Sequence, residues 1–230
     1  MDNHYKVSQA RVVPTSTADL INQLVKLVAS YSGYGAIGIG VPGQVLGHAQ
    51  VLKLAHIQKL KPLNLKKLLE HQFRVPVYVM NDAKAFALAT YVVAQKQRFK
   101  SLAGVTLGTG IGVGVVIDGK IYEGRDGVAA EFGRLPMLDG KVLEQHIKNP
   151  GQLKSAKMIQ KYLKLLVSEI VLSFNPEAIV LGGGWSKLPK LEQVAKQSVK
   201  DLTYKTKTKI IISKLKNAGI IGAALPLLKK

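Results

Sequence analysis

Asn81 and Asp82 stand between an apolar run at 75–80 (VPVYVM) and a segment of helical periodicity that starts AKAFAL. Ligands of α/β proteins bind beyond the carboxyl ends of strands, so a carboxylate here would face a crevice and could take a proton from a hydroxyl. Taken alone, the position more readily suits a residue that only caps the helix. Glu131, among the small residues of GVAAEFGR (127–134), is a second carboxylate able to accept hydroxyl hydrogen bonds. Between them lies Gly108-Thr109-Gly110-Ile111-Gly112. A dinucleotide fingerprint needs a glycine at its sixth position and a following helix; neither is present, because VGVVID reads as strand. A Walker A loop starting at Gly114 fails as well, since Ile121 takes the Ser/Thr place. What remains is a glycine turn between antiparallel strands. It either offers backbone N–H groups to phosphate oxygens or is simply a tight hairpin. Gly182-Gly183-Gly184 likewise either lets the backbone approach a flat ligand or forms a flexible turn. The histidines His4, His48, His56, His71 and His146 have no metal-ligand spacing, and no protein metal site is expected.

These groups need a scaffold. Residues 5–13 have loose strand character up to Pro14, and 18–30 carry Leu20, Ile21, Leu24, Leu27 and Val28 at helical spacing behind Thr17 as N-cap. A buried strand is expected at 35–41, closed by Pro42-Gly43, then a helix at 62–72, a strand at 75–80 and a helix from Asp82 to about Gln97. Strands at 101–107 and 111–117 flank the glycine turn, and Asp118-Gly119 is a hairpin signal leading into KIYEG. A long helix at about 153–173 ends at Asn175-Pro176. Then come a strand at 178–181, a helix at about 188–200, a strand at 209–213 and a last helix from about 218. Hairpins mixed with strand–helix alternation give an α/β class.

The chain has 230 residues, 47% of them hydrophobic and 6% aromatic, enough for a sizeable aliphatic core. It has no cysteine, which excludes disulfides, thiolate metal sites and cysteine nucleophiles. No apolar stretch reaches a membrane span and no signal-peptide core is present, so a cytoplasmic location without membrane association is expected. The formal charge of +19 arises from 33 basic and 14 acidic residues. Only Arg11, Arg74, Arg98, Arg125 and Arg134 are arginines, and no aromatic residues interleave with the lysine clusters. A nucleic-acid partner is therefore not expected, whereas an anionic small substrate suits the charge.

In order along the chain, GIGVPG (38–43), VPVYVMNDAKAFAL (75–88), GVTLGTGIGVGVVIDGKIYEG (104–124), GVAAEFG (127–133) and NPEAIVLGGG (175–184) resemble the ROK family of repressors, open reading frames and sugar kinases. The resemblance implies the two-domain actin-like (ribonuclease H-like) ATPase fold. Residues 1–97 with 217–230 would form the sugar side and 98–216 the nucleotide side, with a sugar in the cleft and ATP with Mg²⁺ as cofactors. Asp82 would be the base. Asn81, Glu131, Glu144, Gly43 and Arg134 would lie on the sugar. Gly108, Thr109, Gly110 and Gly112 would cradle phosphates, and Gly182, Gly183 and Gly184 would run along the adenosine. The chain departs from the family pattern in three places. It starts after the position of the family's D-x-G-G-T hairpin, so the first domain is expected to be truncated. Arg134 replaces a histidine ahead of a shortened zinc loop, with Val142-Leu143-Glu144 where C-L-E would stand, so no zinc is expected. His56 stands where a sugar-contacting asparagine would be. The implied function is a hexose kinase, with a catalytically silent sugar- or nucleotide-binding homologue as the alternative. A homodimer is the assembly the family suggests.

Overall fold

The computed structural model describes residues 1–2, 4–55, 57, 61–147 and 156–228. His56 and the start of the helix expected at 153–173 lie outside the described residues. The first helix, α1, is Leu20–Ala29, and its N-cap residue is Asp19 with no side-chain cap bond, not Thr17. Residues 5–13 form no strand; an extended sequence pattern without a neighbouring strand leaves its backbone groups to water.

β1 (Ile37–Val41) pairs in parallel with β5 (Val77–Asn81) as a two-stranded sheet. Of β1 only Ile37 is buried, so the strand is less enclosed than its sequence suggested. Between them an antiparallel sheet of β2 (Gly43–Leu46), β3 (Gln50–Leu54) and β4 (Leu63–Asn64) folds over, with a bulge at Gln44/Val45. α2 (Leu65–Phe73) follows, capped by the Asn64 side chain, which accepts from the Lys67 N–H. Ile37, Val77, Val79, Leu65 and Leu69 form one apolar core together with the inner face of α1.

The larger sheet has the order β10-β9-β6-β7-β8. β6 (Ser101–Leu107) and β7 (Ile111–Ile117) are antiparallel, and β8 (Lys120–Ile121) continues from the Asp118-Gly119 turn. Both turn residues have positive φ, 47° and 79°, as a two-residue hairpin of matching twist requires. β9 (Ala178–Gly182) and β10 (Lys209–Ile212) add in parallel beside β6. One face packs on α5 (Ala156–Phe174) and α6 (Leu191–Lys200) through Leu163, Leu166, Ile170, Ile179 and Ala195.

α3 (Asp82–Ala89) is the shared central element, extended by a π-helical turn at Thr90–Ala94. Alanine and glycine allow close approach on both of its sides. A Cβ on Gly104 would come within 2.6 Å of the Ala87 Cα, and one on Gly112 within 2.6 Å of the Ala83 Cβ. On the other side α7 (Ala218–Ala224) sets Gly222 against the Ala85 carbonyl. No helix among the described residues is long and apolar enough to cross a membrane.

Candidate active site

The carboxyl ends of β1, β5 and β6 open into one cleft of about 710 Å³. Asn81 ends β5 and Asp82 begins α3, as the apolar run followed by a polar pair led one to expect. Capping falls mainly to Asn81. Its Oδ1 accepts from the Ala83 N–H at 2.9 Å and the Lys84 N–H at 3.1 Å, while its Nδ2 donates to the Gly43 carbonyl at 3.0 Å. Asn81 is therefore buried and one of its N–H groups is already engaged. Asp82 is exposed to the cleft, although its Oδ1 also accepts from the Ala83 N–H.

The glycine turn lies next to this pair because Gly112 rests on Ala83, the residue after Asp82. Within the turn the Gly108 N–H donates to the Gly110 carbonyl at 3.0 Å. A side chain on Gly108 would meet no atom within 4 Å, so one side of the turn is open space. Gly108, Thr109, Gly110 and Gly112 all line the cleft, as do Gly43 and Gly183. The three glycines at 182–184 serve different ends. Gly182 sits against the Phe86 ring, Gly183 adopts φ +83° against the Leu107 backbone, and Gly184 faces open space. Gly182 and Gly184 are not among the cleft-lining residues.

The opposite wall carries Glu131, Arg134 and Glu144. Glu144 belongs to a short helix, α4 (Leu143–Ile147), and accepts from the Arg134 Nη1 at 2.7 Å. Its other oxygen, Oε2, lies 3.0 Å from where a Cβ on Gly110 would stand, so this carboxylate borders the glycine turn. Glu131 follows Ala130, a non-glycine residue at φ +67°, a conformation that costs roughly 1–2 kcal/mol. Its carboxyl is reachable from the cleft, yet the walls displace enough water to raise its pKa above the usual range. Lys84 and then Arg134 pull it down, and Asp82 and Glu144 push it up.

Lys84 is the residue that sequence reasoning missed. It is 2% exposed, the one lysine or arginine buried among the described residues, and its Nζ donates to the Gly127 carbonyl at 2.9 Å. Burial lowers its pKa, opposed by Glu123 and Glu131. The available signal was a lone lysine inside the apolar run AKAFALA. Among the described residues no group of three or more His, Cys, Asp or Glu side chains could hold a metal ion.

The ROK family model matches residues 1–145, which is more than half of the chain. The chain belongs to the ROK family. A curated relative, the N-acetyl-D-glucosamine kinase of Pectobacterium carotovorum subsp. carotovorum (strain PC1), is 27% identical, with 82% of this chain and 80% of that protein covered. Among solved structures, a ROK family glucokinase from Streptomyces griseus in complex with glucose and AMPPNP superposes with a TM-score of 0.83. It shares 22% identity, over 98% of this chain and 93% of that one. An inorganic polyphosphate/ATP-glucomannokinase from Arthrobacter sp. strain KM gives a TM-score of 0.73 at 27% identity, over 97% and 90%. The architecture is thus the actin-like ATPase fold of ROK sugar kinases.

Proposed function

We propose that this ROK protein transfers the terminal phosphoryl group of ATP to a hydroxyl of a neutral hexose or N-acetylated hexosamine, with Asp82 as the base. The observation that carries the reading is the contact of Gly112 with Ala83, which sets the glycine turn beside a cleft-exposed carboxylate at the carboxyl end of β5. Phosphoryl transfer needs mainly positioning and electrostatic stabilisation, and such a neighbourhood supplies a proton acceptor next to a phosphate site.

The open side of the Gly108 position fits phosphate oxygens. Because the Gly108 amide is used within the turn, we assign the phosphate contacts to the Thr109 and Gly110 amides and the Thr109 hydroxyl. ATP supplies the transferable phosphoryl group. Mg²⁺ usually takes one or two carboxylates together with phosphate oxygens and water. Lacking a three-donor cluster among its described residues, the chain offers no cage of its own, and the ion would arrive on the nucleotide. The neighbourhood of Gly183 is assigned to the base end of the nucleotide. On this reading the sugar side comprises the β1–β5 region with α7, and the nucleotide side the five-stranded sheet.

Glu131 accepts sugar hydroxyl hydrogen bonds, and Asn81 contributes its remaining N–H. We assign a neutral substrate because Arg134, the cation beside Glu131 on that wall, is already paired with Glu144 at 2.7 Å. The relatives named as N-acetyl-D-glucosamine kinase and the glucose complex support a sugar of this class. The test is ADP release with glucose, N-acetylglucosamine or N-acetylmannosamine as acceptor. Turnover is expected with at least one, and Asp82→Asn should lower kcat by 10²-fold or more, on the order of a lost general base, with sugar binding retained. Sugar-dependent turnover undiminished in Asp82→Asn would remove Asp82 from the role. Sugar binding without ADP release in the parent protein would make it a binding protein.

A further inference from the structure

Segment 123–131, which gives Val128 and Glu131 to one wall of the cleft, is fastened from two directions. Gln44 of β2 donates through Nε2 to the Asp126 carbonyl at 2.9 Å, and Lys84 of α3 donates through Nζ to the Gly127 carbonyl at 2.9 Å. Gly127 itself, at φ +74°, is backed by the Val45 carbonyl, with no space for a side chain. Beyond it the wall exposes Val128 to the cleft and ends at Glu131. Lys84 emerges from the first turn of α3, two residues after Asp82. One buried side chain thus joins the helix that presents the base to the wall that presents the sugar carboxylate.

We propose that Lys84 is a positioning residue for sugar binding: its buried ammonium anchors the 123–131 wall to α3 and so holds Glu131 in place opposite Asp82. The inference rests on the sugar-site reading above and extends it to a residue that does not line the cleft. A lysine whose head lies in solvent would not need burial, and a core position would accommodate methionine or leucine at less cost than an ammonium. Keeping a charge there is explained by the nearby carboxylates that favour it, Glu123 and Glu131, together with the Gly127 carbonyl that it holds. The charges that act on Glu131 are Lys84 and Asp82 from α3, Arg134 from the turn at 132–134 and Glu144 from α4. Lys84 is the largest favourable influence on that carboxylate.

The experiment compares Lys84 with Lys84→Met in an Asp82→Asn background, so that titration of the base does not contribute. Calorimetry with glucose and N-acetylglucosamine gives the sugar Kd across pH. In parallel, carbon NMR follows the Glu131 carboxyl with no sugar present. With Lys84→Met the Glu131 titration is expected to move up by about one pH unit, as loss of a nearby opposite charge does. The acid weakening of sugar binding should move with it, and binding at neutral pH should fall roughly tenfold, the effect of one disturbed charged hydrogen bond. Lys84→Gln, which keeps a donor for the Gly127 carbonyl, carries the same readouts if the methionine variant does not fold. It should show the pH shift with a smaller loss of affinity. An unmoved Glu131 titration overturns the proposal, as does sugar affinity that falls equally at every pH. If neither sugar binds any variant while the Glu131 titration moves as expected, the sugar-site reading falls and the Lys84–Glu131 coupling stands.

Discussion

Glu131 sits under two opposing influences: burial favours its neutral form, and Lys84 and Arg134 favour its charged form. Burial prevails, so its pKa in the folded chain lies above the 4.5 of an open glutamate. Between 4.5 and that raised value the folded state binds more protons than the unfolded state, and stability falls as pH rises. At neutral pH, above both values, the full penalty is present. Glu131→Gln should therefore melt at a higher temperature than the parent near about pH 7.5, with the difference vanishing below about pH 4, where both carry a neutral side chain. Melting curves of the pair at several pH values check this, and a variant that melts lower near neutral pH would show that the charge is net favourable. Sequence alone placed Glu131, Asp82 and Asn81 near one another only through motif order. It could not divide capping from chemistry between Asn81 and Asp82, because either residue type performs both. The division depends on backbone geometry, with Asn81 at extended dihedrals before the helix and its Oδ1 turned onto two amides.

α3 is an element whose existence was more legible than its packing. The run from Asp82 read as a helix from its periodicity after the strand at 75–80. What the sequence lacked was the partner surfaces: Gly104, Gly112 and Gly114 of β6 and β7 on one side, and Gly222 of α7 on the other. A Cβ on Gly104 would stand 2.6 Å from the Ala87 Cα and 2.8 Å from its Cβ, both parts of rigid helix. Gly104→Ala should thus destabilise the protein by about 1–3 kcal/mol, the range for overpacking. Gly35→Ala, where the added methyl meets nothing within 4 Å, is the control and should change little. Urea unfolding of both variants reads the difference, and equal midpoints would mean that α3 is free to move away from the sheet. Elements with strong periodicity or turn chemistry, such as β6, β7, β9 and α6, match their expected positions to within about three residues. β2, β3 and β4 escaped notice because they are short and pair at an irregular edge, and α4 because five residues make little more than one turn. Residues 5–13 show the converse: apolar and β-branched residues without a partner strand form none.

At the scale of the whole molecule, 33 basic residues face 14 acidic ones, and Lys84 is the one basic side chain buried among the described residues. The surplus is therefore spread over the surface. Several ion pairs relieve it locally, among them Lys164–Asp201 at 2.8 Å, Lys196–Glu192 at 2.6 Å and Lys66–Glu70 at 3.7 Å. Exposed pairs of this kind contribute about 0–1 kcal/mol each, whereas a net charge of +19 acts over every lysine at once. The two effects respond to salt in opposite senses. Screening weakens the pairs, which would lower stability, and weakens the mutual repulsion of the excess lysines, which would raise it. With so few acidic partners the repulsion dominates. Raising sodium chloride from about 20 mM to about 300 mM shortens the screening length from roughly 20 Å to roughly 6 Å, below the spacing of many surface charges. Tm should rise over that range by a few degrees, which for a chain of this size corresponds to roughly 1 kcal/mol. Potassium chloride should act equally, because the cause is ionic strength rather than one ion. A Tm that falls with salt would mean that the specific pairs outweigh the net charge. The same field draws anions toward the molecule, and association of a nucleotide triphosphate should slow as salt rises while its dissociation changes little. Stability rising and nucleotide association slowing over one salt titration would trace both effects to the same surplus of lysines.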